Sequence, residues 1–261
     1  MGIFLNRKMP YRFVLDDSNY SHFSSGRVFY SAAGQPAFPV RLASEVFQRC
    51  LNILRMDGRT GPLSIFDPCC GGAYHLAVLA FLHGPEIARI AASDADPAVL
   101  QTARRNLDLL LPGGLQRRRE EIKTLLDQYG KDSHCQALAS IDYLQNLLDT
   151  GGNIPPVTVC FQANALDRAS LQNHISGRQF DLLLTDVPYG LHSQWLLAEN
   201  LQQPDTSPLY RLLEAVIPFL APGALAAIAS DKGQKAIHER YSRVERFQIG
   251  KRKIEILRLL P

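Results

Sequence analysis

Two short segments hold the residue types from which a group-transfer site can be built. In Thr185-Asp186-Val187-Pro188-Tyr189-Gly190 a carboxylate, a proline-restricted backbone and an aromatic ring are adjacent. An exocyclic amine on a planar ring donates its lone pair into that ring. Attack on a methyl group therefore needs acceptors that hold the amine, and the Asp186 carboxylate and a backbone carbonyl at Val187 or Pro188 can supply them. Pro188 fixes the local backbone, and Tyr189 offers a face on which an extruded base can stack. If a ring nitrogen such as guanine N1 is the target, Asp186 can instead accept its proton as general base. His192 and Trp195 follow closely, but a single His or Trp beyond a motif is more often structural. The second segment, Asp67-Pro68-Cys69-Cys70-Gly71-Gly72, combines a carboxylate with a glycine turn that lets backbone approach a ligand closely.

Both segments follow short apolar runs, residues 63–66 and 180–184, of the kind that form buried strands. Strand-like runs recur at 87–92, 157–161 and 224–229, with helical spacing between them. Pro39 opens a helix carrying Val40, Ala43, Val46, Phe47, Cys50, Leu51 and Leu54. Further helices are expected at 74–83, from Pro97 to Pro112-Gly113-Gly114, and at 208–220. Residues 117–129 and 136–148 are polar helical stretches with no strand between them, so about 115–152 reads as a helical insertion, closed by Gly151-Gly152-Asn153-Ile154-Pro155-Pro156. Residues 244–249 and 254–260, split by Gly250-Lys251-Arg252-Lys253, read as a β-hairpin. Residues 1–38 form an N-terminal extension with one short strand expected around 27–30, ahead of a domain spanning 39–261.

This order gives an α/β fold, Rossmann-like, with a seven-stranded mostly parallel sheet, helices on both faces and a C-terminal antiparallel hairpin. The layout resembles class I S-adenosylmethionine-dependent methyltransferases, and the hairpin separates it from a dinucleotide fold. In such a sheet the loops at the carboxyl ends of the strands share one crevice.

That resemblance assigns cofactor roles to particular residues. Asp67 would reach the ammonium of the cofactor's methionine portion, directly or through water, while the backbone of Cys69, Gly71 and Gly72 follows the ribose and amino acid. Asp94, at the end of the second strand, can accept both ribose hydroxyls. Asp96 competes for that role, but Asp96-Pro97 has the form of a helix N-cap. Ala95 would give adenine a flat contact. Asn164 would meet the adenine amine beside Ala165, although an asparagine there is equally an ordinary turn residue.

The bulk properties narrow the classes. The chain has 261 residues, 46% of them apolar, enough for one large domain. The longest apolar runs, such as 77–82, are too short to span a bilayer, and the N-terminus lacks the anatomy of a secretory signal, so a cytoplasmic protein is expected. Cys50, Cys69, Cys70, Cys135 and Cys160 form no C-x-x-C pair and lie at no zinc-ligand spacing from histidine, which points to reduced thiols and no metal. Net charge is only +3, yet Lys232 to Arg258 holds nine Lys/Arg against three Glu. With Arg117-Arg118-Arg119, the stretch Lys251-Arg252-Lys253 is the candidate RNA-phosphate contact. The bland alternative is a set of solvated surface charges.

At the level of motifs the chain is similar to the AviRa-type avilamycin-resistance 23S rRNA methyltransferases. The likeness rests on Ala37-Phe38-Pro39-Val40-Arg41-Leu42-Ala43, Asp67-Pro68-Cys69-Cys70-Gly71, Ala92-Ser93-Asp94-x-Asp96-Pro97 and Leu184-Thr185-Asp186-x-Pro188-Tyr189-Gly190, and runs from about residue 25 onward. It implies S-adenosyl-L-methionine as cofactor, 23S rRNA or the large ribosomal subunit as partner, a monomer, methylation of guanine N1 or N2, and a role in resistance to an orthosomycin antibiotic. Val187 replaces the first proline of the wider Asp-Pro-Pro-Tyr motif, Ala73 stands where the cofactor loop expects glycine, and Asn164 stands where it expects Asp. A methyltransferase for DNA adenine or a protein glutamine amide, and a non-catalytic RNA-binding descendant, are the competing readings.

Overall fold

Strand β1 (Leu63–Asp67) is buried along its whole length and lies inside a seven-stranded sheet. The remaining strands are β2 (Ile87–Asp94), β3 (Val157–Gln162), β4 (Phe180–Asp186), β5 (Leu220–Ser230), β6 (Tyr241–Ile249) and β7 (Arg252–Leu259). The order across the sheet is β3-β2-β1-β4-β5-β7-β6. Strands β1 to β5 pair in parallel, and β7 runs antiparallel to both β5 and β6. From β1 the chain builds outward through β2 and β3, then returns to place β4 on the other side of β1. That reversal is where open α/β sheets bind ligands, beyond the carboxyl ends of their strands. The computed structural model describes residues 11–15, 19–31, 37–150, 157–188, 195 and 206–261.

Alternation along each strand feeds two cores, because successive side chains point to opposite faces. Ile65, Leu182, Leu184, Ile254 and Ile256 join α1 (Val40–Met56), α2 (Tyr74–His83) and α3 (Pro97–Asp108) on one face. Phe66, Leu183, Ala226 and Leu257 join α6 (Arg168–Ile175) and α7 (Pro208–Val216) on the other. Helix α2 is buried from His75 to Phe81, which explains its almost unbroken apolar sequence. Asp96 accepts from Ala98 N and Pro97 occupies the first turn, so the N-cap reading of Asp96 holds.

The insertion forms α4 (Gly114–Tyr129) and α5 (Asp132–Thr150). It packs on the N-terminal 3-10 turn Tyr20–Phe23, where the Tyr143 ring stacks on His22 at 4.4 Å between centroids. The expected strand at 27–30 does not form. Gly26 N donates to the Phe29 carbonyl, closing a turn that drives Val28 and Phe29 into the core, so burial of two side chains outweighs strand pairing. The helix expected to reach residue 220 ends at Val216 and tightens into a 3-10 turn, Ile217–Phe219, around Pro218. The hairpin also differs. Ile249 pairs directly with Arg252, so only Gly250, at φ 59°, and Lys251 form the turn, while Arg252 and Lys253 belong to β7.

Candidate active site

Asp67, Asp94 and Asp186 are the terminal residues of β1, β2 and β4, so the sheet carries all three to one edge at the reversal point. Asp94 is tied to the glycine loop: its Oδ2 accepts from Gly71 N at 2.8 Å and its Oδ1 from Asp96 N at 3.0 Å. Burial raises the Asp94 pKa, assisted by the nearby Asp67 and Asp96 charges and opposed by those two N–H bonds. A carboxylate offers about four acceptor positions, and the two backbone donors leave capacity for a diol.

The loop between β1 and α2 is held open by its backbone. Gly71 has φ 51°, in the left-handed region that glycine enters without strain. A side chain at Gly72 would press on Thr102 Cγ2 at 3.2 Å. Ala73 also has φ 51°, alone among non-glycine residues described. Its departure from the family glycine is thus a matter of backbone strain more than of an added methyl group. Burial, then the charges of Asp67 and Asp94, hold the Cys69 thiol well above the ordinary thiol range, so it stays a neutral wall of the loop. Cys70 is buried with its N–H on the Ser93 carbonyl at 2.9 Å.

Asp67 has no exposed surface. Its Oδ1 accepts from Cys69 N at 3.0 Å, and its Oδ2 lies 2.9 Å from His75 Nε2 on α2. Burial opposes charge on His75, but hydrogen bonding to Asp67, the Asp67 and Asp186 charges and a bond to the Leu184 backbone prevail and raise its pKa. In this arrangement Asp67 anchors the loop from beneath. Of the two expected routes to a ligand ammonium, the direct one would require that enclosed pair to open, and the one through water would not.

Asp186 stands beside a cation. Arg252 Nη2 lies 3.5 Å from Asp186 Oδ2, and its guanidinium sits 5.3 Å from the Phe38 ring centroid. Phe38 also neighbours His75, at 5.7 Å between ring centroids. Val187 N donates to the Ala229 carbonyl at 3.1 Å, fixing the turn on β5. The Pro188 carbonyl accepts from Gln234 Nε2 at 3.0 Å, and Trp195 Nε1 donates to Gln234 Oε1 at 3.4 Å. Tyr189, Gly190 and His192 lie outside the described residues.

On the adenine side, Asn164 Oδ1 accepts from Leu166 N at 3.0 Å, the turn role weighed for it. Ala165 is buried next to it, and Ala95, half-buried, accepts from Gln162 Nε2 at 3.2 Å.

The six basic candidates separate by environment. Arg117 and Lys251 are exposed. Arg118 donates to the Val28 carbonyl at 2.9 Å and lies over the Tyr30 ring, and Arg119 pairs with Asp142 at 2.5 Å. Lys253 is buried, 2.8 Å from Glu255, with its ammonium on the Gln234 carbonyl. Lys253 therefore braces the chain beneath Pro188, a position outside the phosphate contact expected of it. Its burial follows from the early start of β7.

Three residues at the site escape a reading by motif, His75, Gln234 and Asn106, and a fourth, Phe38, lies in a motif that gave it no role. Fully buried Asn106 accepts from Tyr30 N and donates to the carbonyls of Tyr30 and Gly72. Only Phe38 gave a signal, through its place in the Phe-Pro-Val-Arg segment. Among the described residues no three His, Cys, Asp or Glu converge as a metal site, and no helix is long and apolar enough to cross a membrane.

The family model described as rRNA methyltransferase AviRa matches residues 9–252. The 23S rRNA (guanine(2535)-N(1))-methyltransferase of Streptomyces viridochromogenes is 36% identical over 248 residues, covering 95% of each chain. A solved structure of the rRNA methyltransferase AviRa from the same organism matches with a TM-score of 0.83 and 35% identity, covering 96% of both chains. TrmN from Thermus thermophilus, at 16% identity, covers 87% of this chain and 51% of its own, with a TM-score of 0.50, a likeness of fold alone.

Proposed function

The chain belongs to the AviRa rRNA methyltransferase family, and from that premise we propose that it methylates N1 of a guanine in 23S rRNA, using S-adenosyl-L-methionine. The observation that carries the reading is the convergence of Asp94, the Gly71 turn and Asp186 at the reversal of the sheet. The residues fit the cofactor: Asp94 has acceptor capacity for the ribose hydroxyls, Gly71 and Gly72 present backbone without side-chain bulk, and Ala95, Asn164 and Ala165 border the position for adenine. Cys69 contributes a neutral wall, and Asp67 holds the loop through Cys69 N and His75. When bound, the cofactor supplies an electrophilic methyl group on a sulfonium.

The remaining chemistry falls to the chain's own groups. Asp186 accepts the N1 proton as general base. Pro188, held by Gln234, fixes the turn that carries it. Tyr189 is assigned the stacking face for a base taken out of its RNA context, where recognition of structured RNA relies on shape and splayed bases. Exposed Arg117 and Lys251 are the phosphate contacts of this reading. Guanine N1 is favoured over N2 because it is the position named for the relative that covers 95% of this chain.

The test is methyl incorporation from labelled cofactor into 23S rRNA by the wild-type chain and by Asp186→Asn. The variant is expected to bind cofactor normally and to lose transfer by at least about a hundredfold, the lower range for a positioned acid or base. Near-normal turnover in Asp186→Asn would remove Asp186 from the chemistry.

A further inference from the structure

We propose that Arg252 is a catalytic residue that pairs with O6 of the target guanine and stabilises the charge gathering there as N1 gives up its proton. The proposal rests on the guanine-N1 reading above and deepens it. Arg252 is the first residue of β7, and its side chain is only 19% exposed. It crosses the Phe38 ring to reach Asp186, and its Nε is enclosed without a partner among the described residues. A guanidinium stays charged and carries five donors. A buried donor left unpaired is costly, so a hydrogen-bond acceptor brought within reach of the guanidinium is favoured. Arg252 and Asp186 are 3.5 Å apart, wider than the roughly 2.7–2.9 Å of a tight charged pair, so the two heads stand side by side.

One acceptor beside one cationic donor is the complement of a particular base edge. Guanine presents an N1–H donor next to the O6 acceptor. Adenine presents the reverse, an N1 acceptor next to an N6 amine, which would set donor against donor at Arg252. The pair therefore selects guanine as well as acting on it. In the reaction the N1–H bond breaks and its proton passes to Asp186. The electron pair left on N1, shared with O6, forms the N1–methyl bond as the methyl–sulfur bond breaks, and the sulfonium becomes a neutral thioether. A fixed cation at O6 meets charge that develops only in that step, the arrangement by which preorganised donors accelerate a reaction.

Among the described residues two further titratable groups approach this pair. Asp186 faces Arg252 from β4, while His75 on α2 and Cys69 in the loop after β1 face Asp186 in turn. Arg252→Gln also removes the cation beside Asp186, whereas Arg252→Lys keeps one there, so the pH profiles of the two variants are read against each other.

The experiment measures kcat, KM for 23S rRNA, salt dependence of RNA binding and the pH profile of kcat for wild type, Arg252→Gln and Arg252→Lys, with melting temperatures to confirm folding. Expected is a loss of at least about a hundredfold in kcat for Arg252→Gln, with KM and the salt slope unchanged. Its kcat should keep rising with pH where the wild type has levelled, and Arg252→Lys should recover part of the loss. A raised KM with a flatter salt slope and normal kcat would make Arg252 a phosphate contact and overturn the proposal. So would equal kcat losses in both variants accompanied by lowered melting, which marks a structural role. A wild-type chain that modifies no guanine would instead sink the guanine-N1 reading, and this inference with it.

Discussion

Asn106 donates its Nδ2 to the Gly72 carbonyl at 2.8 Å, from a side chain with no exposed surface. The same amide grips Tyr30 at both its N–H and its carbonyl, so the turn after residue 26 and the cofactor loop are clamped to α3 by one residue. Tyr30 in turn lies between the guanidinium groups of Arg105 and Arg118, at 3.7 and 4.2 Å from its ring centroid. The glycine loop is thus shaped from behind by a fully buried side chain.

Replacing Asn106 with Leu leaves buried donors and acceptors of Tyr30 and Gly72 unpaired. At about 1–3 kcal/mol per group, partly relieved by relaxation, a net loss of about 2–4 kcal/mol is expected. Thermal melting should show a clear drop, and calorimetry a weaker cofactor affinity. An unchanged melting temperature would mean that water or a shifted loop replaces the clamp.

Ala73→Gly is expected to stabilise the protein slightly. A left-handed alanine costs roughly 1–2 kcal/mol, and the extra unfolded-state freedom of glycine returns roughly 0.5–1 kcal/mol of that. A net gain of about 0–1.5 kcal/mol follows, a rise of a few degrees in Tm at most. A fall in Tm would show that the alanine methyl packs well enough to offset its strain.

Asp94→Ala should weaken S-adenosyl-L-methionine binding by about 1–3 kcal/mol, the cost of leaving hydroxyls and site imperfectly paired. It should also loosen Gly71, whose N–H loses its acceptor. Calorimetry with unchanged affinity would move the ribose contact elsewhere, although Asp96 is already committed to capping α3.

Stability should fall on acidification below about pH 6.5, the ordinary histidine value. Burial depresses the pKa of His83 to about 4, only slightly countered by Glu86, and its Nε2 lies 2.9 Å from Ser44 Oγ. A folded-state pKa below the unfolded one gives stability that is complete above about 6.5 and is lost as pH falls towards 4. His75 works in the opposite sense: its raised pKa gives stability present below about 6.5 and lost as pH rises through its folded value. Denaturant titrations of His83→Gln should therefore show a flatter profile between pH 6.5 and 4. An unaltered acid limb would assign it to carboxylates such as Glu45, which accepts three backbone N–H groups and Arg49.

Much of this architecture is legible in the chain because apolar alternation and helix spacing are local signals. The five parallel strands, the helical insertion and the antiparallel hairpin follow from them, and the strand-end carboxylates follow from the strands. What escapes is set by distant partners. The basic run Lys251-Arg252-Lys253 looks uniform, yet pairing of Ile249 with Arg252 shortens the turn and sends three cations to three environments: Lys251 to solvent, Arg252 to Asp186, Lys253 to Glu255. Asp67 reads as a carboxylate for a ligand ammonium, reached directly or through water, and its pairing with a histidine from the following helix has no signal in the chain. Asn106, in the middle of a helical pattern, carries no motif at all.

The most direct measurement is nucleoside mass spectrometry of 23S rRNA after incubation with the protein and methyl-labelled S-adenosyl-L-methionine. One labelled product, 1-methylguanosine, is expected, and it should be absent with Asp186→Asn. Label recovered as 2-methylguanosine or in adenosine, or no label in rRNA from a protein that binds the cofactor, would contradict the guanine-N1 reading.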